Sequence, residues 1–329
     1  MRLEFDLVGM ARAAYCPEMM VAMKFAFNMP HMMELQALTQ PWEFSVTGAD
    51  QVIMAKRAEE LGYDMLAVPE HFIVPHSHVD LSGPHYFHST VAQAYFAGAT
   101  TSIPVNSCVT LLPLQHPVIM AKALATADWM SSGRIMCTFG VGWDEEEFKI
   151  LGVPFHERGR IADEYLAAII ELWTNETPSF DGRYVSFDKV SFAPKPVQKP
   201  HPPIWIGGDA EAQLKRAARF ASGWFPFLTQ PEDFPAKIDF IKSQPEYDGG
   251  PFEVCYGMGT SLVGEGHVVV DDPTQRPGMT ATEIIDRLGR FAELGVTMSS
   301  VPIPPVNDMN AYLDYAQWVI EEIKPKVPS

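Results

Sequence analysis

The sequence predicts an α/β fold of the (β/α)8 TIM-barrel type, and three observations lead there. Short apolar runs of strand type alternate with longer segments whose apolar residues recur at helical spacing. Eight such strand–helix pairs follow one another between Lys24 and Ile323, the pattern of a parallel sheet covered by helices. An open doubly wound sheet, the competing architecture, normally uses fewer strands and carries a GxGxxG turn after its first strand. Residues Asn28 to Pro41 contain no such turn.

Lys24–Asn28 reads as the first strand. Ala49–Leu61 is a helix with Val52, Ile53, Ala55 and Ala58 as apolar positions, closed by Gly62. Asp64–Pro69 is the second strand and runs into Glu70-His71. Ser89–Ala99 is the second helix, with Ser89 as its cap. Ile103–Leu112 and Pro117–Met130 form the third pair, the proline standing in the first turn where its missing N–H is harmless. Arg134–Phe139 is the fourth strand. After Gly140-Val141-Gly142 an acidic helical turn, Asp144 to Glu147, sits where the helix dipole favours negative charge. Ile161, Tyr165, Ala168, Ile169 and Leu172 then share one face of a helix ending at Trp173.

Between Pro178 and Pro203 the pattern breaks. This proline-rich stretch holds short β-type pieces, Arg183–Phe187 and Val190–Phe192, and is predicted as an inserted hairpin excursion around 178–203. The alternation resumes with Ile204–Ile206 and Ala210–Ala221, then Gly223–Phe227 and Glu232–Ser243. Phe252–Leu262 and Thr282–Leu294 follow, and Val296–Ile303 and Asn310–Ile323 close the series. The expected organisation is one barrel domain over 23–329, preceded by an extension over 1–22.

Lys and Arg number 24 against 41 Asp and Glu, a net charge of −17. That balance disfavours nucleic acid and anionic membrane surfaces as partners. Cys16, Cys108, Cys137 and Cys255 are far apart, with no CxxC pair, so neither a zinc knuckle nor a disulfide framework is suggested. No apolar run reaches the ~18 residues of a membrane span, and the first residues lack the pattern of a secretory signal. A reducing cytoplasm is the expected compartment.

In a barrel of this kind the active site lies at the carboxyl ends of the strands. At the second strand end His71 is the leading catalytic candidate, because imidazole titrates near neutrality, with Glu70 second. The following loop holds His76, His78, His85 and His88. His76-x-His78 is similar to the HxH pair of metal-dependent hydrolases built on barrels. The later strand ends, Cys108-Val109, Gly140-Val141-Gly142, Gly207-Gly208 and Pro226-Phe227, are poor metal ligands, so no metal is assigned. Gly140 and Gly142 let a bare backbone lie against a ligand. Gly207-Gly208 opens a helix whose free N–H groups suit an anion. Asp209 and Glu211 repel phosphate unless they point away, and Arg158, Arg160 and Arg216 are available to offset them. Phe72, Tyr86, Phe87, Trp143, Phe225 and Phe227 would line an apolar pocket.

Four strings, AVPEHF, GVGWDEEEFKILGVPFHERGR with IIELWT behind it, PKPVQKPHPPIWIGG and AARFASGWFPF, resemble the luciferase-like monooxygenase superfamily. The branch they resemble most is that of F420-dependent oxidoreductases, and the resemblance spans Met23 to Lys324. It implies a barrel of the bacterial-luciferase-like type with His71 facing the cofactor ring. It also implies a non-proline cis peptide and bulge at Cys108-Val109, with Ser107, Cys108, Val109, Gly140, Val141 and Gly142 around the ring. Gly207, Gly208 and Asp209 would receive the phosphate. The implied activity is hydride transfer between coenzyme F420 and a small, apolar substrate. Trp143 stands where the sugar-phosphate dehydrogenase branch carries a glutamate, which points to a different substrate. The alternative is a two-component monooxygenase that receives reduced FMN from a separate reductase. A metal-dependent hydrolase and a non-catalytic barrel are the remaining readings. The superfamily commonly dimerises through barrel helices, so a homodimer is expected.

Overall fold

Alternation along each strand sorts its side chains onto the two faces of one sheet. In β1 (Lys24–Asn28), Phe25 and Phe27 join the core beneath the helices while Ala26 joins a second, inner cluster. The structure is a computed structural model that describes residues 22–35, 39–257, 279–301 and 304–327. Seven further barrel strands follow: β2 (Met65–Val68), β3 (Val105–Leu111), β4 (Ile135–Gly140), β5 (Ile204–Gly207), β6 (Gly223–Phe225), β7 (Glu253–Gly257) and β8 (Met298–Ser300). All pair in parallel in sequence order, and β8 returns to β1, so the sheet is closed. Around it lie α1 (Gly48–Leu61), α2 (Ser89–Ala99), α3 (Pro117–Met130), α4 (Arg158–Thr174), α5 (Glu211–Phe220), α6 (Phe234–Lys242), α7 (Ala281–Glu293) and α8 (Met309–Trp318). This is the (β/α)8 barrel that the alternation predicts.

Ala26, Met65, Trp205, Cys255 and Met298 fill the barrel interior, with half-buried Ala67, Cys108, Met136 and Phe225 against them. The Trp205 indole fits because Gly223 has no side chain: a Cβ there would lie 2.4 Å from Trp205 Nε1. Asn106 and Thr138 bridge β3 and β4 inside the barrel, Asn106 Nδ2 donating to Thr138 Oγ1 at 2.8 Å. Both are fully buried, so the bond answers their polarity.

Several local expectations change. His88, not Ser89, precedes α2 as its cap residue, and it makes no side-chain cap bond; Ser89 is drawn inward to Glu70. The acidic stretch after β4 forms its own short helix, Glu145–Ile150, with Asp144 accepting the N–H groups of Glu146 and Glu147. Gly152, at φ 74°, and Pro154 end it before α4 begins. Tyr165 is only half-buried on α4, and Ala162, Leu166 and Trp173 complete the buried face.

The excursion does contain a hairpin, but it pairs Phe180–Asp181 with Ser186–Phe187. Arg183 to Val185 make its turn rather than a strand, because Glu164 of α4 accepts the N–H groups of Arg183, Tyr184 and Val185. Buried Asp128 of α3 holds the proline-rich return the same way, accepting from Val197 N–H at 2.7 Å and Gln198 Nε2 at 2.7 Å. The predicted extension over its first 21 residues, the end of the strand predicted to Leu262 and residues 302–303 lie outside the described residues.

Beneath the barrel, Glu59 of α1 accepts N–H groups from Thr101 (2.8 Å), Ser102 and Ile103 (3.0 Å), and the Ser102 hydroxyl at 2.9 Å. Partial burial opposes its ionisation, but the donors from Ile103, Ser102 and Thr101 outweigh it and hold the carboxyl at about 2. A pKa below its unfolded value stabilises the fold above the ordinary carboxylate range, and that contribution is lost as pH falls toward 2. Glu59→Gln should therefore flatten the acid limb of melting temperature against pH over that window. Parallel limbs in wild type and variant would contradict this account.

Candidate active site at the barrel mouth

Between Cys108 and Thr110 the register of β3 against β4 slips, and the Cys108–Val109 peptide is cis, as the resemblance implies. A bulge re-aims the residue it carries. Here that residue is Val109. A Cβ on Gly140 would lie 2.5 Å from Val109 Cγ2, and one on Gly207 would lie 2.7 Å from Val109 Cγ1. The isopropyl group thus fills the space of two absent side chains at the ends of β4 and β5. These glycines therefore answer to a protein neighbour, not only to a ligand as the sequence reading supposed. Gly142, at φ 77°, likewise yields to the Phe148 ring, 2.6 Å from its would-be Cβ. Ser107 is buried, and its hydroxyl donates to Thr138 O at 3.4 Å. Burial pushes the Cys108 thiol up to about 12, so it stays protonated at neutral pH.

Across the mouth, His71 follows the end of β2 and is 9 % exposed. Its Nδ1 lies 2.9 Å from Oε2 of fully buried Glu147. The other oxygen of Glu147 accepts the N–H groups of Phe72 (2.8 Å) and Ile73 (3.3 Å). Edge-on rings flank the imidazole, Tyr86 at 4.7 Å and Trp143 at 6.1 Å between centroids. His78 pairs with buried Asp144 at 2.8 Å. Two imidazole–carboxylate pairs therefore join the loop after β2 to the start of the short helix after β4. Glu147 was missed as a site residue. In the run Asp144 to Glu147, helical spacing puts Asp144, Glu147 and Phe148 on one face, the only hint that this acid turns inward.

Glu70, the second catalytic candidate, is spoken for. Its Oε2 accepts Ser89 N–H (2.9 Å) and Oγ–H (2.7 Å), and its Oε1 accepts Leu111 N–H (3.0 Å) and Gln115 Nε2 (3.1 Å). Burial raises its carboxyl pKa against the pull of those donors. Glu70 braces the ends of β2 and β3 to the start of α2.

At the end of β5 the two acids do not crowd the turn. Asp209 directs its carboxylate into the loop after β6, where it accepts N–H groups from Phe227 (3.0 Å), Leu228 (2.9 Å) and Thr229 (2.8 Å). Glu211 pairs with Lys215 on the exposed face of α5 at 2.6 Å. Ala210 caps α5 without a side-chain bond. The arginines are engaged elsewhere. Arg158 donates to Gly142 O and Phe155 O, and Arg216 to Asp163 and Gly159 O. Arg160 lies near Glu157 at 3.9 Å. Lys237 of α6 brings a cation to the turn, its ammonium donating to Asp209 O at 2.8 Å.

A family model described as luciferase-like monooxygenase matches residues 23–276. The chain belongs to that family. Among curated relatives of this luciferase-like chain, an uncharacterized protein of Mycobacterium tuberculosis is 30 % identical over 288 residues, 81 % of this chain and 92 % of its own length. The FMNH2-dependent dimethylsulfone monooxygenase of Pseudomonas putida is 32 % identical over 163 residues, 49 % of this chain and 44 % of that protein. The coenzyme F420-dependent tetrahydromethanopterin reductase of Methanopyrus kandleri superposes with a TM-score of 0.68 at 17 % identity, over 93 % of this chain and all of that one (100 %), a likeness of fold.

The aromatic candidates of this luciferase-like barrel fall into separate groups. Trp143 and Tyr86 flank His71, and Phe72 packs edge-on to His88 at 5.4 Å. Phe225 joins Cys108 in the barrel interior, while Phe227 sits on the loop that Asp209 holds. Among the described residues no helix is long and apolar enough to cross a membrane.

Three substitutions probe this geometry. Gly207→Ala should destabilise the fold by about 1–3 kcal/mol through the clash with Val109, and adding Val109→Ala should recover part of that loss in urea unfolding. Strictly additive losses would deny the contact. Glu147→Ala strips the acceptor from buried His71 and Phe72 N–H and should cost ~1–3 kcal/mol; an unchanged unfolding midpoint would contradict the bonding.

Proposed function

We propose that this luciferase-like barrel is an oxidoreductase transferring a hydride between coenzyme F420 and a small, apolar organic substrate. The observation that carries the reading is the β3 bulge, with Val109 laid across Gly140 and Gly207. It stands at the strand position where the resemblance rests the deazaflavin ring. The phosphate end also fits: α5 begins without a side-chain cap, Asp209 is turned into the 227–229 loop, and Lys237 supplies a cation. Gly207, Gly208 and the Asp209 backbone would hold the phosphate there.

A bound deazaflavin supplies a carbon that takes or gives a hydride. The protein's part is orientation and proton handling. Ser107, Cys108 and Val109, with Val141 and Gly142, would bear the ring. His71 would move the proton, its Nδ1 held by Glu147, which fixes the ring. Glu70 positions this strand end rather than reacting. Phe72, Trp143, Phe225 and Phe227 would wall the substrate and keep water out. We read the chain as a single-domain, cytoplasmic homodimer.

A second reading, an FMN-dependent monooxygenase, is favoured by the Pseudomonas putida relative. It needs a separate reductase to supply reduced FMN. Equilibrium binding of oxidised F420 and of FMN, each followed by fluorescence quenching, separates the two. F420 should bind about tenfold tighter or better, a difference of about 1.4 kcal/mol. The reverse order would overturn the F420 reading in favour of FMN, and binding of neither would overturn both.

A further inference from the structure

The histidine-rich loop after β2 brings together a group that the hydride-transfer reading leaves unused. His76 and His78 do not form it, since His78 is paired with Asp144. His85 instead meets His31 and Glu34, which follow β1. One ligand atom from each of these three side chains lies within 4.8 Å of the others. The His31 and His85 rings are parallel, 2° apart in plane and 4.7 Å between centroids. His31 Nε2 is 2.9 Å from Glu34 Oε1. His85 Nε2 is buried and has no hydrogen-bond partner among the described residues. A buried ring nitrogen without a protein partner is open to a ligand, and an imidazole nitrogen is a common ligand for transition-metal ions.

The backbone around the three side chains is locked. Glu34 N–H donates to His85 O at 3.2 Å, and Met33 and Tyr86 form an antiparallel bridge. Gly83 lets the two loops touch, because a Cβ there would fall 1.6 Å from Glu34 O. His31 holds a left-handed backbone, φ 57°, with its N–H donated to buried Glu43 at 2.8 Å. Side chains on a frame fixed in this way are preorganised for a ligand.

We propose that His31, Glu34 and His85 bind a divalent transition-metal ion of the zinc type. Two imidazoles and one carboxylate suit Zn²⁺ or Co²⁺, whereas Ca²⁺ and Mg²⁺ take oxygen ligands. Tetrahedral coordination with bonds of about 2.0–2.2 Å sets ligand atoms about 3.3 Å apart, so the side chains close inward and His31 exchanges its bond to Glu34 for one to the ion. Three protein ligands leave a position for water or a substrate atom. Tyr86, next to His85, carries the ring that packs on His71. The ion would pin that part of the loop to the residues after β1 and so set the rim of the pocket, whichever flavin-type cofactor the barrel uses.

The test uses the full chain without a polyhistidine tag, stripped with a chelator and then titrated with Zn²⁺ by calorimetry and with Co²⁺ by visible absorption. A single equivalent should bind and raise the melting temperature. His85→Gln and Glu34→Gln should each weaken Zn²⁺ binding by about tenfold or more and weaken the absorption of four-coordinate Co²⁺, while His76→Gln leaves both unchanged. Should His85→Gln fail to fold, His31→Asn, which tolerates the left-handed backbone, gives the same readout. No stoichiometric uptake, or an affinity indifferent to these ligand substitutions, would overturn the proposal.

Discussion

The mouth of this barrel depends on where one valine side chain goes. Val109 leaves the regular ladder at the β3 bulge and occupies the space above Gly140 and Gly207. Interiors are packed too tightly for two atoms to share a place, so β4 and β5 must end in glycine while that valine stays. The same glycines set the turns that follow. After Gly140 the chain reaches Asp144, Glu147 and the short helix, and after Gly207 it reaches Gly208 and α5. The imidazole side and the phosphate side of the proposed site both stand on that contact.

Buried or half-buried acids are the second organising device. Glu70, Glu147 and Asp209 at the mouth, Asp128 and Glu164 under the excursion, and Glu59 beneath the barrel each accept backbone N–H groups from another segment. A carboxylate has lone pairs for several donors, and loop N–H groups are the donors most in need of a partner. A net charge of −17 is thus more than a solvated surface, since part of it stitches loops to strand ends. His71 and His78 are held by the same means, through Glu147 and Asp144. A neutral amide in place of either acid would keep the shape but lose the charge that orients the ring.

Much of the candidate site was legible because strand ends are legible. Once eight strands are read from their apolar runs, His71, Cys108-Val109, Gly140-Val141-Gly142 and Gly207-Gly208 fall at one end of the barrel by topology alone. What stayed hidden were partners distant in sequence. Glu147 lies 76 residues from His71, and only its place on the helical face of Asp144 and Phe148 sets it apart from Glu145 and Glu146. Lys237 reaches the β5 turn from α6, and neither its type nor its spacing announces that. The acids at 209 and 211 looked hostile to phosphate because a sequence carries no side-chain direction; Asp209 turns into the next loop and Glu211 faces solvent.

The sequence by itself determined the barrel, the order of its strands and helices, and the end at which the candidate site lies. Periodicity and glycine or proline punctuation are local properties, and the chain writes them locally. Family membership followed from long strings that the chain also carries in order. Tertiary structure alone decided that Glu70 braces while Glu147 orients His71. It also decided that Ser89 turns inward, that the excursion pairs Phe180–Asp181 with Ser186–Phe187, and that His85 meets His31 and Glu34. Each of these depends on which donors and acceptors meet after the barrel closes, and closure joins residues that no local pattern relates.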